Sequence, residues 1–453
     1  MKKLLNAILS ALLCITLCLG FAGCNFETGK KPTEKGEQYE ENKNAEITLS
    51  MCLLGGLYEE SIMKSWANAF QKKYDKVGFD FKDKGRTVDN MDGVENLAMT
   101  NKLPDIIWTA GDQHSQISEK YFLDLKNLDG ADEFFAGFYP ALMDTTHVTA
   151  DDESIRFVPR DYNALVVYYN EAVFDAAGVA YPENGWTYED FLKTCEDLEK
   201  SGKVYRAVEN DIGWPPYAYT MMKNRGIEYF NDQGKVIFDT EETEDWYDEL
   251  QAFNTKYVKQ GTGQGFTTYN PSGDNNIAMY INVRPALPEL AVAANAAGWG
   301  LGAVTFPNYK QEGGADGYVG VGCSGYALNK DLKDDKLEWA WKFLQFCMSK
   351  EGYDAAAKWG VLVPALTELA DDDSENSWRN YFYGDVEVDA DAFVNFAMTP
   401  IDLNYFNKLP SDKHKVVTTA ASQFWGATKA GGKSYTESVR SFLSTLSDSE
   451  ITK

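Results

Sequence analysis

Residues 156–178 read RFVPRDYNALVVYYNEAVFDAAG, and this stretch decides how the chain is organised. The run from Leu165 to Tyr169 is apolar on both faces, which is typical of a strand inside a sheet that is covered on both sides. A dense polar group, residues 159–163, comes directly before it. A polar loop that feeds a core strand explains this order. A strand that crosses between two lobes, with its polar end in a cleft, explains it equally.

Strand and helix patterns alternate from residue 46 onward. Residues 46–51 and 77–81 alternate polar and apolar side chains as strands do, and residues 103–108 form a short apolar strand. A helical spacing of apolar residues lies between the first two strands, and a second helix is centred on residues 94–99. This order predicts an α/β fold with a mostly parallel sheet flanked by helices. A folded part of about 400 residues suits two lobes better than one core.

The sequence also predicts the ends of the helix that follows the opening stretch. Thr187 is a favourable N-cap, and Asp190 stands three residues later, as in a short capping box. Trp186 and Phe191 occupy the two positions of a hydrophobic staple, and Gly202 is placed to end the helix.

The N-terminus has the pattern of an export signal. Two lysines precede an apolar run over residues 4–21, which ends in FAGC, residues 21–24. This ending resembles a bacterial lipobox with Phe21 in place of the usual Leu, so Cys24 is predicted to carry the lipid. Residues 1–23 are then the signal peptide and residues 24–45, which are almost free of apolar side chains, a flexible tether. A plain transmembrane anchor is the alternative.

Composition limits the partners. The formal net charge of −26 repels nucleic acid and anionic lipid, so no nucleic-acid partner is predicted. Four of the seven cysteines lie in the predicted folded part without a C-x-x-C pair, namely Cys52, Cys195, Cys323 and Cys347. Their apolar surroundings favour buried free thiols, and a disulfide remains the alternative.

No pattern of a catalytic or metal site stands out. The chain lacks the nucleophile-elbow, zinc-protease and P-loop motifs, and its three histidines are not spaced as metal ligands. The glycine-rich residues 261–265 are a weak candidate for a phosphate loop, and Asp389 and Asp391 favour a turn over a calcium loop. We therefore predict no metal and no cofactor. A pair of carboxylates acting as a glycosidase is not excluded.

Aromatic residues are the positive signal, at 14% of the chain with 11 Trp. Sugar rings pack their C–H faces on aromatic rings and need polar partners for their hydroxyl groups. Clusters of this kind next to strand ends predict a ligand site in an α/β fold. They comprise Trp108 with Asp112 and Gln113, Tyr162 with Asn163, Trp214 with Tyr217, and Arg284.

The order of several segments resembles the family-one extracellular solute-binding proteins of carbohydrate ABC transporters, relatives of the maltose-binding protein. The segments include EITLSMCLLGG, LPDIIW, VPRDYNALVVYYNEAVFDAAGV, ENGWTYEDFLKTCEDL, NNIAMYINVRP, VGVGCSGYALNK and WGVLVPAL, from about residue 46 to 367. The resemblance implies a two-lobe, type II periplasmic-binding-protein-like fold with a hinge. It divides the chain into an N-terminal lobe (46–160 with about 320–392) and a C-terminal lobe (161–319 with about 393–453).

The resemblance also implies roles for residues. VPRDYNALVVYYN and VGVGCSGYAL become crossovers between the lobes, the glycines of the second letting its backbone approach a ligand. The ligand-facing positions are then Trp108, Asp112, Gln113, Tyr162, Asn163, Trp214, Tyr217, Arg284 and Trp359, with Trp299 and Trp378 as weaker candidates. Arg284 stands beside Pro285, where maltose-type relatives carry a Trp. That departure leaves room for an acidic or differently linked glycan, although Arg160 and Arg284 are equally able to pair with acids.

The function implied is that of a monomeric lipoprotein on the outer face of a bacterial, Gram-positive membrane, which captures an oligosaccharide and delivers it to an ABC permease. It needs no enzyme activity. A surface glycoside hydrolase and a glycan-binding adhesin or sensor are the alternatives.

Overall fold

The structure is a computed structural model. It describes residues 36–52, 56–81, 91–110, 119–143, 153–273, 275–322, 324–380, 386, 388–394, 397–402, 409 and 411–452. The predicted signal peptide and Cys24 lie outside the described residues, as do Asp112, Gln113 and Cys323.

The described strands form three sheets. They are β1 (Ile47–Cys52), β2 (Val77–Phe81), β3 (Ile106–Ala110), β4 (Val158–Pro159), β5 (Asn163–Ala164), β6 (Val166–Asn170), β7 (Arg206–Asn210), β8 (Val258–Gln260), β9 (Ile277–Asn282), β10 (Leu301–Thr305), β11 (Tyr318–Gly322), β12 (Ser324–Leu328) and β13 (Thr399–Asp402). The first lobe contains the sheet β2-β1-β3-β12-β4, and the second lobe contains β10-β6-β9-β7-β8.

Each of these five-stranded sheets has one antiparallel member. In the first lobe it is β12, which pairs antiparallel with β3 and β4, and in the second it is β6, between β10 and β9. The pairs of β1 with β2 and β3, and of β7 with β8 and β9, are parallel. The prediction of mostly parallel α/β sheets is confirmed. In both lobes the exception is the strand that enters from the other lobe.

The third sheet, β13-β11-β5, connects the two lobes. β5 lies between β4 and β6 of the opening stretch, and β11 lies directly before β12, so both crossovers run side by side and antiparallel. β13 pairs parallel with β11 and adds a third segment. The opening stretch therefore is a crossover, and its polar residues lie between the lobes.

Helices cover both sheets. The α-helices are Leu57–Lys73, Met91–Met99, Ala131–Phe135, Pro140–Met143, Glu171–Ala177, Tyr188–Ser201, Pro215–Asn224, Glu241–Tyr257, Leu287–Ala297, Asp334–Cys347, Lys350–Ala357, Ser411–Ala427 and Ser441–Leu443. Short 3-10 turns occur at Arg284–Ala286, Glu312–Gly314, Thr367–Leu369, Trp378–Asn380 and Ala390–Phe393, and a π-helical turn at Thr436–Arg440.

Aromatic residues fill both cores. In the first lobe Phe70 of helix Leu57–Lys73 meets Phe343 of helix Asp334–Cys347 edge to face, with ring centroids 5.2 Å apart. In the second, Trp246 and Trp425 join helices Glu241–Tyr257 and Ser411–Ala427 at 5.7 Å. Many of the aromatic residues that raise the composition of this chain therefore stabilise the lobes and do not face a ligand.

The local rules that predicted helix Tyr188–Ser201 are confirmed. Thr187 accepts a hydrogen bond from the Asp190 N–H, and the Asp190 side chain accepts one from the Thr187 N–H, which completes the capping box. Trp186 and Phe191 pack edge to face at 5.6 Å. Gly202 ends the helix in the left-handed conformation with φ 65°, which glycine adopts without strain.

The predicted flexible tether is shorter in the structure than the sequence indicated. From Gly36 the chain lies along helix Leu57–Lys73, with Tyr39 packed edge to face on Phe81 at 4.9 Å. The Asn42 side chain donates to the carbonyl of Val77 at 2.9 Å. Only the part of the predicted tether before Gly36 lies outside the described residues.

Cys195 and Cys347 are buried free thiols, as expected, and Cys52 is buried as well. Burial raises the pKa of the Cys195 and Cys347 thiols, so both stay protonated and unreactive.

Candidate functional site

A ligand of this fold is expected at the carboxyl ends of the parallel strands, where the crossovers also lie. In the first lobe these ends are those of β1, β3 and β4, and in the second those of β7, β8, β9 and β10. Parallel strands carry their loops and helix starts at this edge, so the residues that follow each strand are the first candidates for a site between the lobes.

The polar start of the first crossover is held by an ionic cluster. Arg160, only 1% exposed, forms a two-pronged pair with Glu59, and its Nε donates to Asp161 at 3.1 Å. Asp161 is completely buried and accepts from the N–H of Ser324 at 2.8 Å. This cluster therefore joins the first turn of helix Leu57–Lys73 to both crossovers. Arg160 pairs with neighbouring acidic residues and does not face a ligand.

Burial and charge oppose each other in this cluster. Burial raises the pKa of Asp161, and the Arg160 guanidinium and the Ser324 N–H act against that shift. Tyr353 donates its hydroxyl hydrogen to the carbonyl of Arg160 at 2.7 Å and accepts from the N–H of Ala365 at 2.9 Å. These buried polar groups would each lose their hydration, and they are hydrogen-bonded to one another instead. The cluster therefore holds the crossover in place, and its groups are not available to a ligand.

The next two residues of the crossover differ in their surroundings. Tyr162 is 1% exposed, lies against Tyr139 with ring centroids 4.4 Å apart, and its pKa is raised by burial. Asn163 is also buried, and its Oδ1 has no hydrogen-bond partner in the part of the chain that the structure describes. Tyr162 thus belongs to the packing of the hinge, whereas the Asn163 side chain has an acceptor oxygen that the described residues do not use.

Trp108 lies inside β3 rather than at its end. It is directly opposite Tyr326 of β12, so both rings lie on the same face of the sheet, and Tyr326 contacts Trp66 of helix Leu57–Lys73 at 6.0 Å. Trp108 is 7% exposed, and its Nε1 has no hydrogen-bond partner among the described residues. A buried indole N–H without a partner is unusual and marks a point where a polar group is needed.

The Trp214 cluster combines one accessible ring with one buried ring. Trp214 is half-buried at the start of helix Pro215–Asn224. Tyr217 is buried between Phe306 and Trp425, so the expectation that it stacks on a ligand is not supported. Asn210, the last residue of β7, is buried; its side chain is hydrogen-bonded to Tyr217, and its Oδ1 has no partner among the described residues.

Arg284 does not present a cation to the cleft. It is completely buried, donates to the carbonyls of Gly360 at 3.1 Å and Trp378 at 3.0 Å, and lies over the rings of Trp378 and Phe393 at 4.9 and 4.8 Å. Its role in this structure is to tie the end of β9 to the chain around residues 360–378. The room that the sequence left for an acidic glycan rested on Arg284 as a cation in the cleft, and the buried position of Arg284 removes that argument.

The glycine-rich loop at 261–265 binds an internal carboxylate. Glu209 is completely buried and accepts from the N–H groups of Gly263 at 3.2 Å and Phe266 at 2.7 Å and from the Lys259 ammonium at 2.9 Å. A Cβ atom at Gly261 would lie 2.1 Å from Glu209 Oε1, so only glycine fits. The loop therefore has the geometry of an anion nest, and the protein fills it with its own side chain.

The remaining aromatic candidates are structural or distant from the crossovers. Trp359 is buried and donates to Ser65 at 2.9 Å, and Trp378 donates to the carbonyl of Leu369 at 2.9 Å. Trp299 lines a cavity of about 400 Å³ next to Leu301, at the amino end of β10 and so away from the crossovers. Trp359 as a stacking platform is therefore not supported.

The glycines of the second crossover serve packing between protein segments. A Cβ atom at Gly320 would lie 2.6 Å from the carbonyl oxygen of Pro216, and one at Gly325 would lie 2.1 Å from that of Val158. The expectation that these glycines admit a ligand to the backbone is replaced by close contact with helix Pro215–Asn224 and with β4.

Among the described residues, three of the buried polar atoms without a hydrogen-bond partner lie on strands β3, β5 and β7: Trp108 Nε1, Asn163 Oδ1 and Asn210 Oδ1. They come from the first lobe, the hinge and the second lobe in turn. The clusters around Trp108 and Asn163 were visible in the sequence as polar groups beside strands. Asn210 was missed, although its position directly before Asp-Ile-Gly-Trp-Pro-Pro, a strand end followed by a turn, is a readable signal.

Sequence comparison assigns the family. The model of the bacterial extracellular solute-binding protein family matches residues 65–381. The chain belongs to this family. Members of the family are binding proteins, and the two sheets with their crossovers are those of a type II periplasmic binding protein.

Solved structures show the same fold at low sequence identity. This solute-binding protein aligns with an ABC substrate-binding protein of Listeria monocytogenes in complex with cycloalternan (TM-score 0.63, 15% identity, 88% of this chain and 98% of that chain). It aligns with UgpB of Mycobacterium tuberculosis in complex with glycerophosphocholine (TM-score 0.67, 13% identity, 88% of this chain and 97% of that chain). It also aligns with maltose-bound MalE3 of T. maritima (TM-score 0.62, 14% identity, 88% of this chain and 100% of that chain).

A curated relative is similar over a short stretch. The arabinooligosaccharide-binding protein of Halalkalibacterium halodurans is 32% identical over 94 residues, which is 20% of this chain and 20% of the relative. The match thus spans only a fifth of the relative's length. Within the described part of this solute-binding protein, no helix has the length and apolar content required to span a membrane. Those same residues contain no cluster of three or more side chains suited to a metal ion.

Proposed function

We propose that this chain is the substrate-binding protein of an ABC importer for a neutral oligosaccharide, which it captures between its lobes and passes to the permease. The observation that supports the proposal is the set of buried polar atoms without a hydrogen-bond partner on Trp108 of β3, Asn163 of β5 and Asn210 of β7. Buried polar atoms are rarely left unpaired, and sugar hydroxyl groups both donate and accept. A ligand that bonds to the two lobes and the hinge together favours the closed arrangement, because only closure brings all three contacts to it.

The two arginines that could present a cation to a ligand are engaged by the protein. Arg160 is paired with Glu59 and Asp161, and Arg284 is bonded to carbonyl groups and covered by rings. A net charge of −26 also disfavours anions. Three of the four relatives described above are named with cycloalternan, maltose or an arabinooligosaccharide, which supports a neutral sugar, whereas UgpB is in complex with glycerophosphocholine.

Several parts of the proposal come from the sequence. We propose contacts from Trp108, Asn163, Asn210 and Trp214, and from Asp112 and Gln113 beyond the described residues. The lobes are proposed as residues 46–160 with about 320–392 and 161–319 with about 393–453, which agrees with the members of the two main sheets. The chain acts as a monomer without enzyme activity and is held on the outer face of a Gram-positive membrane by a lipid on Cys24.

The test is a sugar titration of the folded domain, residues 36–453, in which tryptophan fluorescence and calorimetry measure binding. Neutral arabino-, malto- and gluco-oligosaccharides are compared with uronic-acid oligosaccharides. We expect saturable binding of a neutral sugar that is recovered unchanged. Binding restricted to uronic acids would overturn the neutral assignment, and cleavage of the sugar would favour the glycoside hydrolase.

Matched variants locate the site along one strand. Trp214 follows the carboxyl end of β7, whereas Tyr205 directly precedes its amino end and is 48% exposed. Trp214→Ala is expected to weaken binding by roughly tenfold, since an aromatic contact of ~1.4 kcal/mol is lost. Tyr205→Ala is expected to leave it unchanged. Equal effects of the two substitutions would place the ligand elsewhere.

A further inference from the structure

Helix Leu57–Lys73 carries a polar stripe that solvent does not reach. Ser61, Ser65, Asn68 and Gln71 recur at a spacing of four, three and three residues, which places them on one face. They are 1%, 5%, 6% and 9% exposed. A polar face of a surface helix is normally hydrated, so something of matching polarity covers it.

The cover is the chain that precedes the first strand, residues 36–44, which we name the strap. Asn68 accepts from the N–H of Glu40 at 3.0 Å and donates to the carbonyl of Gln38 at 2.8 Å. Ser61 accepts from the N–H of Glu37 at 3.0 Å, and the Gln71 amide donates to the Glu40 carbonyl. Side chains on the stripe thus bond to the strap backbone in both directions, as a partner strand does.

Side chains of the strap add to this docking. The Tyr39 hydroxyl donates to Gln71 Oε1 at 3.1 Å and accepts from the N–H of Phe79 at 2.8 Å, and burial raises the pKa of Tyr39. Glu37 pairs with Lys358, which comes directly after helix Lys350–Ala357. These contacts bind the strap to β2 and to a second helix as well as to the stripe.

The direction of the strap decides where the chain leaves the folded domain. Gly36 lies against Leu57 and Ser61, at the start of the helix, whereas Asn42 bonds to Val77 near the helix end. The start of this helix follows the carboxyl end of β1, the edge that faces the crossovers. Without the strap, the chain would leave at Ile47, the amino end of β1 and the opposite edge, about 20 Å away.

We propose that the strap orients the first lobe on the membrane, with its cleft edge toward the lipid surface. The inference rests on the lipid anchor at Cys24 that belongs to the proposed function. The 12 residues from Cys24 to Gly36 span at most about 40 Å, whatever their conformation, against about 80 Å from Cys24 to Ile47. A lobe attached at its cleft edge holds the bound ligand on the side of the lobe that faces the membrane, where a permease can receive it.

The docking itself is tested by limited trypsin digestion of the full chain with mass spectrometry. Lys43 is the trypsin site inside the strap. We expect slow cleavage after Lys43 in the wild type, and at least tenfold faster cleavage in Tyr39→Ala/Asn42→Ala, which removes strap contacts and replaces no buried core residue. Glu41→Gln, at an exposed strap position, is the control and is expected to cleave at the wild-type rate. Rapid cleavage of the wild type after Lys43 would overturn the strap.

The orientation is tested by energy transfer from a fluorophore on the lipidated full chain to acceptor lipid in phosphatidylcholine vesicles. Probes are placed at Leu57→Cys, which is 44% exposed, and at the exposed Lys72→Cys, about 22 Å further along the helix. Protein without an introduced cysteine gives the background labelling. We expect stronger transfer from position 57 in the wild type and a loss or reversal of the difference in Tyr39→Ala/Asn42→Ala. Equal transfer from both positions in the wild type would overturn the orientation.

A parallel sugar titration separates this inference from the proposed function. The double variant is expected to bind the sugar within twofold of the wild type, because the strap lies outside the crossovers. Sugar binding with equal transfer from both probes would refute the orientation alone. Unequal transfer in a wild type that binds no sugar would refute the neutral-sugar function and leave the orientation standing.

Discussion

Glu209 offers a substitution of matched shape that tests whether the glycine-rich loop is built around an internal anion. Glu209→Gln keeps the side-chain volume but removes the charge and turns one acceptor oxygen into an NH₂ group. Because Gly263 and Phe266 both point N–H groups at the carboxylate, one of these donors then faces another donor. Losing such a charge-assisted bond costs ~2 kcal/mol. The pair with the partly exposed Lys259 adds ~1 kcal/mol.

The expected destabilisation is therefore ~3 kcal/mol in total. An unfolding entropy of ~2.1 cal/mol/K per residue over about 400 residues gives ~0.8 kcal/mol/K, so the Tm should fall by about 4 °C. Thermal unfolding followed by circular dichroism measures it. Glu249→Gln is the control, because Glu249 forms an ion pair with Arg225 in the same lobe but its side chain is 65% exposed. We expect that control within about 1 °C of the wild type.

Inorganic phosphate provides the second arm of the same experiment. If Glu209 fills the nest, phosphate has no place there and should not raise the Tm of the wild type above that of a chloride solution of equal ionic strength. An unchanged Tm in Glu209→Gln, or a specific stabilisation of the wild type by phosphate, would refute the assignment of this loop to structure.

Two further predictions concern buried charge. Arg284→Met should lower the Tm by several degrees without creating a preference among charged sugars, since it leaves the carbonyls of Gly360 and Trp378 without their donor. Arg225→Met, at a partly exposed pair, is the control, and a loss of sugar binding with an unchanged Tm would return Arg284 to the ligand site. Burial lowers the pKa of His414, so the unfolded chain takes up a proton more readily, and stability should fall as the pH drops below about 6.5. His414→Gln should lessen that fall in urea denaturation at several pH values, and an identical pH dependence would contradict it.

Local structure was predictable from the sequence because periodicity and capping act over a few residues. The capping box of Thr187 and Asp190 and the stop at Gly202 required only the residues around them. The alternation in residues 77–81 likewise predicted β2 with its correct bounds. Where one face of an element must be buried, the pattern of apolar residues is sufficient to identify the element, and no knowledge of its partner is needed.

Partners were not predictable, and they decide what a polar residue does. Arg160 lies beside Asp161 in the sequence, but its two-pronged partner Glu59 is 101 residues away. Glu209 and the loop that surrounds it are about 55 residues apart, and each is unremarkable alone. The strap has the composition of a disordered tether, yet it is docked, because the polar stripe supplies hydrogen bonds where apolar contacts are few.

Aromatic residues misled for a related reason. Tyr217, Trp359 and Trp378 stand beside proline, glycine or polar residues, as ligand-stacking rings do, but each is buried against protein. A chain with two lobes has two cores and an interface to fill, and large rings bury the most area per residue. The residues next to an aromatic residue in the sequence do not show whether its ring points into the protein core or toward a ligand site. The accessible Trp214 shares the same signal with the buried Tyr217 three residues later.

The polar start of the crossover has a structural reason that also bears on closure. The ladder between β4 and β12 ends near Pro159 and Gly325, and the ladder between β5 and β11 begins at Asn163 and Gly322. Between these ladders the two crossing chains are joined by Asp161, which accepts from the Ser324 N–H, and by the Arg160 N–H, which donates to the Ser324 carbonyl at 2.8 Å. Side-chain clamps can hold two chains in register where the sheet changes from one lobe to the next. A hinge at this point can therefore rotate one lobe while the crossovers stay paired. The charges there hold the two crossing chains together at the hinge.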